Sequence, residues 1–393
     1  MMHIDEILQL AVTTNSSDVH LKVGAPPMLR TYGRLGPDDS FAPLTAGDLE
    51  EIIQQMTEES QRARLHEQRQ LDLGYGTDDF GRFRVNIYYQ RGEPRIAMRA
   101  IPRAIRALDE LNLPPIVAKL ADESRGLVLV TGTTGSGKST TLASMIDLLN
   151  QQQALHIVTI EDPIEYTHQD KLSMISQREV GVDVTSFVAG LKGALRQDPD
   201  VILIGEMRDL DTIETAIMSA ETGHLVMSTL HTLDAPETVT RVIQAFPDHQ
   251  RDQIRLVLSS VLKGVISQRL VPRADGKGLV PAVEIMTSTG LTREIIKDPT
   301  RSPRELTDAI AKGNVSYGTQ TFDQSLMSLF RSQLITYEEA LKQATNPDDF
   351  ALQVSGVSST SDARWDNFDS GGSNGSADSA RETRTAPRLV RRF

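Results

Sequence analysis

Gly132-Thr133-Thr134-Gly135-Ser136-Gly137-Lys138-Ser139 leaves this chain less conformational freedom than any other stretch. It satisfies GxxxxGK[ST] at every position and stands between an apolar run at 127–131 and a helix-compatible segment at 140–149. Glycines there let consecutive backbone N–H groups turn inward around a phosphate, and the helix that follows adds the positive end of its dipole. Lys138 can then reach β- and γ-phosphates, the Ser139 hydroxyl can ligate Mg2+, and Thr140 extends the phosphate-binding run. A strand–loop–helix unit of this kind calls for a parallel sheet covered on both faces. The runs at 127–131, 156–160, 201–204 and 225–230 supply it, being short, apolar and separated by helical patterns.

Two of these runs end in carboxylates. Residues 201–206 close on Glu206, the arrangement that holds Mg2+, and 157–162 run into Glu161 and Asp162, with Glu165 close behind. Ligands bind at the carboxyl ends of strands in open α/β sheets, so both acid sets are expected to face the loop. Acids at strand ends also serve as plain turn residues, and the loop is what favours function here. His224 and His231 bracket the run at 225–230, which as a strand spans roughly 20 Å. The two imidazoles therefore cannot touch one phosphate. His231 belongs to the ligand side, and His224 to the far end or a subunit boundary.

Composition removes whole classes. With 393 residues the chain has room for two or three domains. Lys+Arg 41 against Asp+Glu 53 gives a net charge of −12, which disfavours nucleic acid as a partner, since phosphates demand a basic face. The absence of cysteine excludes disulfides, thiolate zinc sites and a thiol nucleophile. No apolar run approaches the ~20 residues that span a bilayer, and Asp5 and Glu6 interrupt the start of the chain where a signal peptide would be apolar. A cytoplasmic protein that meets a membrane only through a partner is expected.

The first 101 residues form a small α+β module. A helix is expected at 4–12, strands at 19–23 and 28–35, and a helix at 44–56 capped by Thr45. An antiparallel run follows at 71–75, 81–89 and 94–101. Arg82 and Arg84 alternate with apolar residues on one strand, and Arg99 lies on a nearby one. They form either a solvated face or cations offered to a nucleotide on a neighbouring chain, where a trans-supplied arginine stabilises phosphoryl charge. Residues 102–115, with prolines at both ends, read as the linker to a domain at 116–355 whose pattern after Thr238 is mainly helical. The Ser/Gly/Asp-rich segment 356–393 cannot bury enough apolar surface to order itself. Its last thirteen residues carry five arginines and one acid, giving a flexible tail or a docking segment for an acidic partner.

Four ordered blocks, GTTGSGKST (132–140), TIEDPIEY (159–166), LRQDPDVILIGEMRD (195–209) and TGHLVMSTLHT (222–232), together resemble the secretion-superfamily ATPases that drive type IV pili and type II/IV secretion. In that family they are the Walker A, Asp box, Walker B and His box. Residues 17–24 and Gly33-Arg34-Leu35 resemble the start of its PAS-like N-terminal domain. Residues 320–326 and 344–350 are similar to its pilus-retraction branch, and 289–296 match that branch's AIRNLIR-type motif only in part. The absence of cysteine sets the chain apart from extension and type II motors with a four-cysteine zinc element.

The resemblance, over about residues 3–352, implies a RecA-like P-loop NTPase domain after a PAS-like α+β domain, with a helical C-terminal extension, assembled as a homo-hexamer. It implies ATP hydrolysis with Mg2+. Lys138 and the loop amides would hold phosphates, and Ser139 and Glu206 the cation. Glu161 would orient and deprotonate the attacking water, with Glu206 the other acid open to that role. His231, and after it His224, would sense the γ-phosphate, and Arg82, Arg84 and Arg99 would close the site. The implied partner is an inner-membrane platform protein of the pilus machine, met at the membrane's cytoplasmic face. Other readings are an accessory retraction motor or another pilus or secretion ATPase, a nucleic-acid-translocating RecA-like motor, and a nucleotide-gated binding module without catalysis.

Overall fold

Ile4, Ile7, Leu8 and Ala11 share one face of α1 (Ile4–Thr13), and all four are buried. The computed structural model describes residues 3–356, apart from 32, 39, 78, 102 and 103. The tail beyond 356 and two residues of the expected linker lie outside the described residues.

After α1 come β1 (Asp18–Lys22), β2 (Met28–Thr31) and β3 (Arg34–Pro37), then α2 (Ala46–Met56), α3 (Glu59–Gln68), β4 (Gln70–Thr77), β5 (Gly81–Gln90) and β6 (Glu93–Ala100). The strands form one antiparallel sheet ordered β3-β2-β1-β6-β5-β4. The single strand expected at 28–35 is a hairpin, turned at Gly33 with φ +80°, a backbone state that glycine adopts without cost. Thr45 caps α2 as its sequence suggests, in a reciprocal box with Asp48. Phe83, Val85 and Ile87 point from β5 into the module's core, leaving Arg82 and Arg84 on the other face.

The second sheet follows α4 (Ile116–Ala121). Its elements run β7 (Gly126–Thr131), α5 (Lys138–Gln152), β8 (His156–Glu161), β9 (Met174–Glu179), α6 (Phe187–Ala194), β10 (Val201–Ile204), α7 (Leu210–Glu221), β11 (Leu225–Leu230), α8 (Ala235–Gln244), α9 (Arg251–Val261), β12 (Leu262–Pro272) and β13 (Leu279–Thr287). The order is β13-β12-β7-β11-β10-β8-β9, parallel except for β13 against β12. β7, β10 and β11 are buried at every residue. Along β7 the side chains alternate between two cores, Leu127 and Leu129 on one face and Val128 and Val130 on the other. Truncating such a residue to Ala costs about 2–5 kcal/mol, so the sheet that presents the loop at 132–139 is stiff.

Among the described residues six helices follow, α10 (Gly290–Lys297), α11 (Pro303–Lys312), α12 (Asn314–Tyr317), α13 (Phe322–Arg331), α14 (Tyr337–Gln343) and α15 (Pro347–Val354). The stretch after Thr238 is thus not helical throughout. The β12–β13 hairpin, joined by a Gly-containing turn, extends the main sheet through the parallel pairing of β12 with β7. Among the described residues no helix is long and apolar enough to cross a membrane.

Candidate active site

The strand order sets the site. β11 lies between β7, which feeds the loop, and β10, with β8 next, so the carboxyl ends of all four open on the same side. Gly137, at φ +91°, caps α5 with no side-chain acceptor, leaving the first N–H groups of that helix for a ligand. At Gly132, φ is +139° and a Cβ would stand 2.4 Å from the Gln268 carbonyl oxygen. That contact is with backbone and cannot yield.

Lys138 is buried and its Nζ donates to the carbonyls of Gly132 at 2.9 Å and Thr133 at 3.0 Å. Desolvation lowers its pKa, opposed by the charges of Glu165 and Glu206, so both acids lie within electrostatic reach of the lysine. Thr140 Oγ1 meets the Tyr166 hydroxyl at 2.9 Å, which ties α5 to the segment after β8.

Glu161 ends β8. Its Oε1 accepts from Thr159 Oγ1 at 2.8 Å and Gln177 Nε2 at 3.2 Å, and its Oε2 from the Glu165 N–H at 3.4 Å. Burial raises its pKa, the bias of a carboxyl that can take a proton. Glu206 pairs with Arg208 Nε at 2.5 Å and lies 3.6 Å from His231 Nε2. Asp162 is raised too, chiefly by burial and then by Glu206 and Asp72, while Arg84 and Arg208 pull it down.

Loop, Glu161, Glu206 and His231 therefore share one end of the sheet. His224 does not join them. It precedes β11, its carbonyl accepts the N–H of Gly126 at the start of β7, and its Nδ1 lies 3.0 Å from the Ser219 carbonyl. Of the arginines, Arg82 is paired with buried Glu179 and Arg84 lies 3.8 Å from Glu165, both on their own chain. Arg99 pairs at 2.9 Å with Asp18 inside its own module.

Gln177, Glu179 and Gln268 escaped the sequence reading. The strand Met174–Glu179 is polar and edge-placed, so no apolar run announces it. Buried Gln268 donates Nε2 to Thr141 Oγ1 at 2.9 Å, and only its place beside the loop reveals it.

A GxxxxGK[ST] loop at the strand-to-helix turn, with acids and a histidine at the tips of neighbouring parallel strands, defines a P-loop ATPase. The model of the family described as "Type II/IV secretion system protein" matches residues 1–289, and the chain belongs to that family. It is 41% identical over 349 residues to the type IV pilus retractation ATPase PilT of Pseudomonas aeruginosa, covering 89% of this chain and 100% of that one. It is 40% identical over 362 residues to the type IV pilus ATPase PilU of the same organism, covering 92% and 94%. Among solved structures, the pilus retraction motor PilT with bound ADP superposes at TM-score 0.81, with 44% identity, covering 89% of this chain and 99% of that one. The Legionella pneumophila ATPase DotB gives TM-score 0.76 at 28% identity, covering 90% and 96%.

Proposed function

We propose that this chain hydrolyses ATP to power type IV pilus retraction, as a ring hexamer at the cytoplasmic face of the inner membrane, where it engages a platform protein. The observation that carries the reading is the 41% identity to the PilT retraction ATPase over 89% of this chain and the whole of that one. The electrostatic reach of Glu165 and Glu206 to Lys138 supports it.

The triphosphate lies along the loop amides, and Lys138 leaves the Gly132 and Thr133 carbonyls to neutralise phosphate charge. Oxygen donors at Ser139 and Glu206 suit Mg2+, a hard cation that keeps several waters. When bound, it supplies charge neutralisation at the phosphates. Glu161 orients the attacking water and takes its proton. Its raised affinity for that proton, set by burial, supports this choice. His231, reaching from β11 beside Glu206, senses the γ-phosphate. Arg84 sits near enough to the acids to close the site when the N-terminal module moves.

A second reading, an accessory retraction ATPase, is favoured by the 40% identity to PilU over 362 residues. Deleting the gene and imaging labelled surface pili separates the two. Loss of retraction, restored by the wild-type gene, supports the motor, and retraction at an unchanged rate supports the accessory role. Sedimentation with ATP checks the ring, and a purely monomeric species contradicts it.

A further inference from the structure

Glu179, the last residue of β9, is buried, and its carboxylate accepts from three places at once. Oε1 takes the N–H of Gly74 on β4 at 3.1 Å. Oε2 takes the Arg82 guanidinium from β5 and the N–H of Ile164 at 3.2 Å. Two of these donors belong to the N-terminal module. The third belongs to the loop that runs from Glu161 to Glu165, where the next N–H, of Glu165, points at Glu161 Oε2. Gly74 leaves room for the approach: a Cβ there would lie 2.4 Å from Arg82 Nη2 and 2.9 Å from Glu179 Oε2, so those side-chain ends would have to shift.

We infer that Glu179 is a positioning residue that carries the orientation of the N-terminal module to the loop bearing Glu161 and Glu165. Charge-assisted bonds in a buried setting are short and stiff, and breaking one leaves an unpaired buried charge. A carboxylate held this way moves with its partners instead of yielding to them. Displacement of β4 and β5 then shifts Ile164 and, through the neighbouring Glu165 N–H, the carboxylate of Glu161. The two modules also touch where Arg64 Nη1 approaches the Gly181 carbonyl at 3.5 Å, on the turn that follows Glu179. Beside Arg82 a cavity of about 540 Å³ opens between the modules, lined by Gly76, Thr77, Ile105, Asp147 and Lys171 among others.

The inference rests on Glu161 acting as the base, and steady-state ATP hydrolysis by the full chain tests the two separately. Glu179→Gln is expected to lower kcat about 10- to 100-fold, the scale of a small misplacement of a reacting group, with KM within about twofold. Arg82→Gln should match it, and the double variant should be no worse than the poorer single one. Arg82→Lys should recover activity to within about threefold of wild type. Gly74→Ala keeps both charges but pries them apart, and should show the same fall in kcat at constant KM. It also supplies the reading if Glu179→Gln fails to fold. Losses that multiply in the double variant, or an effect confined to KM, would overturn the assignment. Unimpaired hydrolysis by Glu161→Gln would instead remove the reading on which it rests.

Discussion

His231 Nε2 stands 3.6 Å from Glu206 Oε2, joining the tips of the neighbouring strands β11 and β10 on the side of the phosphate loop. The imidazole is about half exposed there, and Glu206 is paired on its other oxygen with Arg208. His231→Ala should cut kcat by about 100-fold, the usual loss for one group that stabilises developing charge, with little change in KM. Phosphate-release kinetics provide the check, and an unchanged kcat would remove His231 from the chemistry.

Lys138 donates to two loop carbonyls that a triphosphate would release. A hydrogen bond to a charged group contributes about 1.5–3 kcal/mol, so Lys138→Ala should weaken nucleotide binding about 10- to 100-fold. Titration with a fluorescent ATP analogue measures this directly. Binding within twofold of wild type would place the phosphates elsewhere.

Glu284, buried on β13, accepts the Ala235 N–H at 2.9 Å, and burial pushes its carboxyl up to about 7 from 4.5. The folded chain therefore holds that proton more tightly than the unfolded chain does. The stability it contributes is complete below about 4.5 and is lost as pH rises through about 7. Glu284→Gln keeps the acceptor and cannot ionise. Relative to wild type it should gain roughly 3 kcal/mol between pH 4.5 and 8, read by denaturant unfolding. A constant difference across that range would contradict the assignment.

The loop, its strand and the acids at 161 and 206 were legible because each is a local pattern: glycines at fixed offsets, or a buried run ending in a charge. Phe83, Val85 and Ile87 gave β5 its inward face in the same way. Two features were not legible for physical reasons. Residues 262–287 carry apolar runs equally suited to helix or strand, and only pairing with β7 decides between them. Glu179 reads as one acid in a polar segment until packing between the two modules brings Gly74 and Arg82, about a hundred positions earlier, onto its carboxylate. The arginines show the same limit: alternation put Arg82 and Arg84 on one face, while their partners Glu179 and Glu165 are set by tertiary contact.

The most direct measurement compares ATP turnover and ATP binding in wild type and Glu161→Gln. Burial raises the Glu161 pKa, so wild-type kcat/KM should climb with pH as that carboxyl loses its proton and becomes able to take one from water. The variant should bind ATP with wild-type affinity and release phosphate at a rate reduced by about 100-fold or more at every pH. Normal hydrolysis by Glu161→Gln, with the pH dependence intact, would show that another acid activates the water.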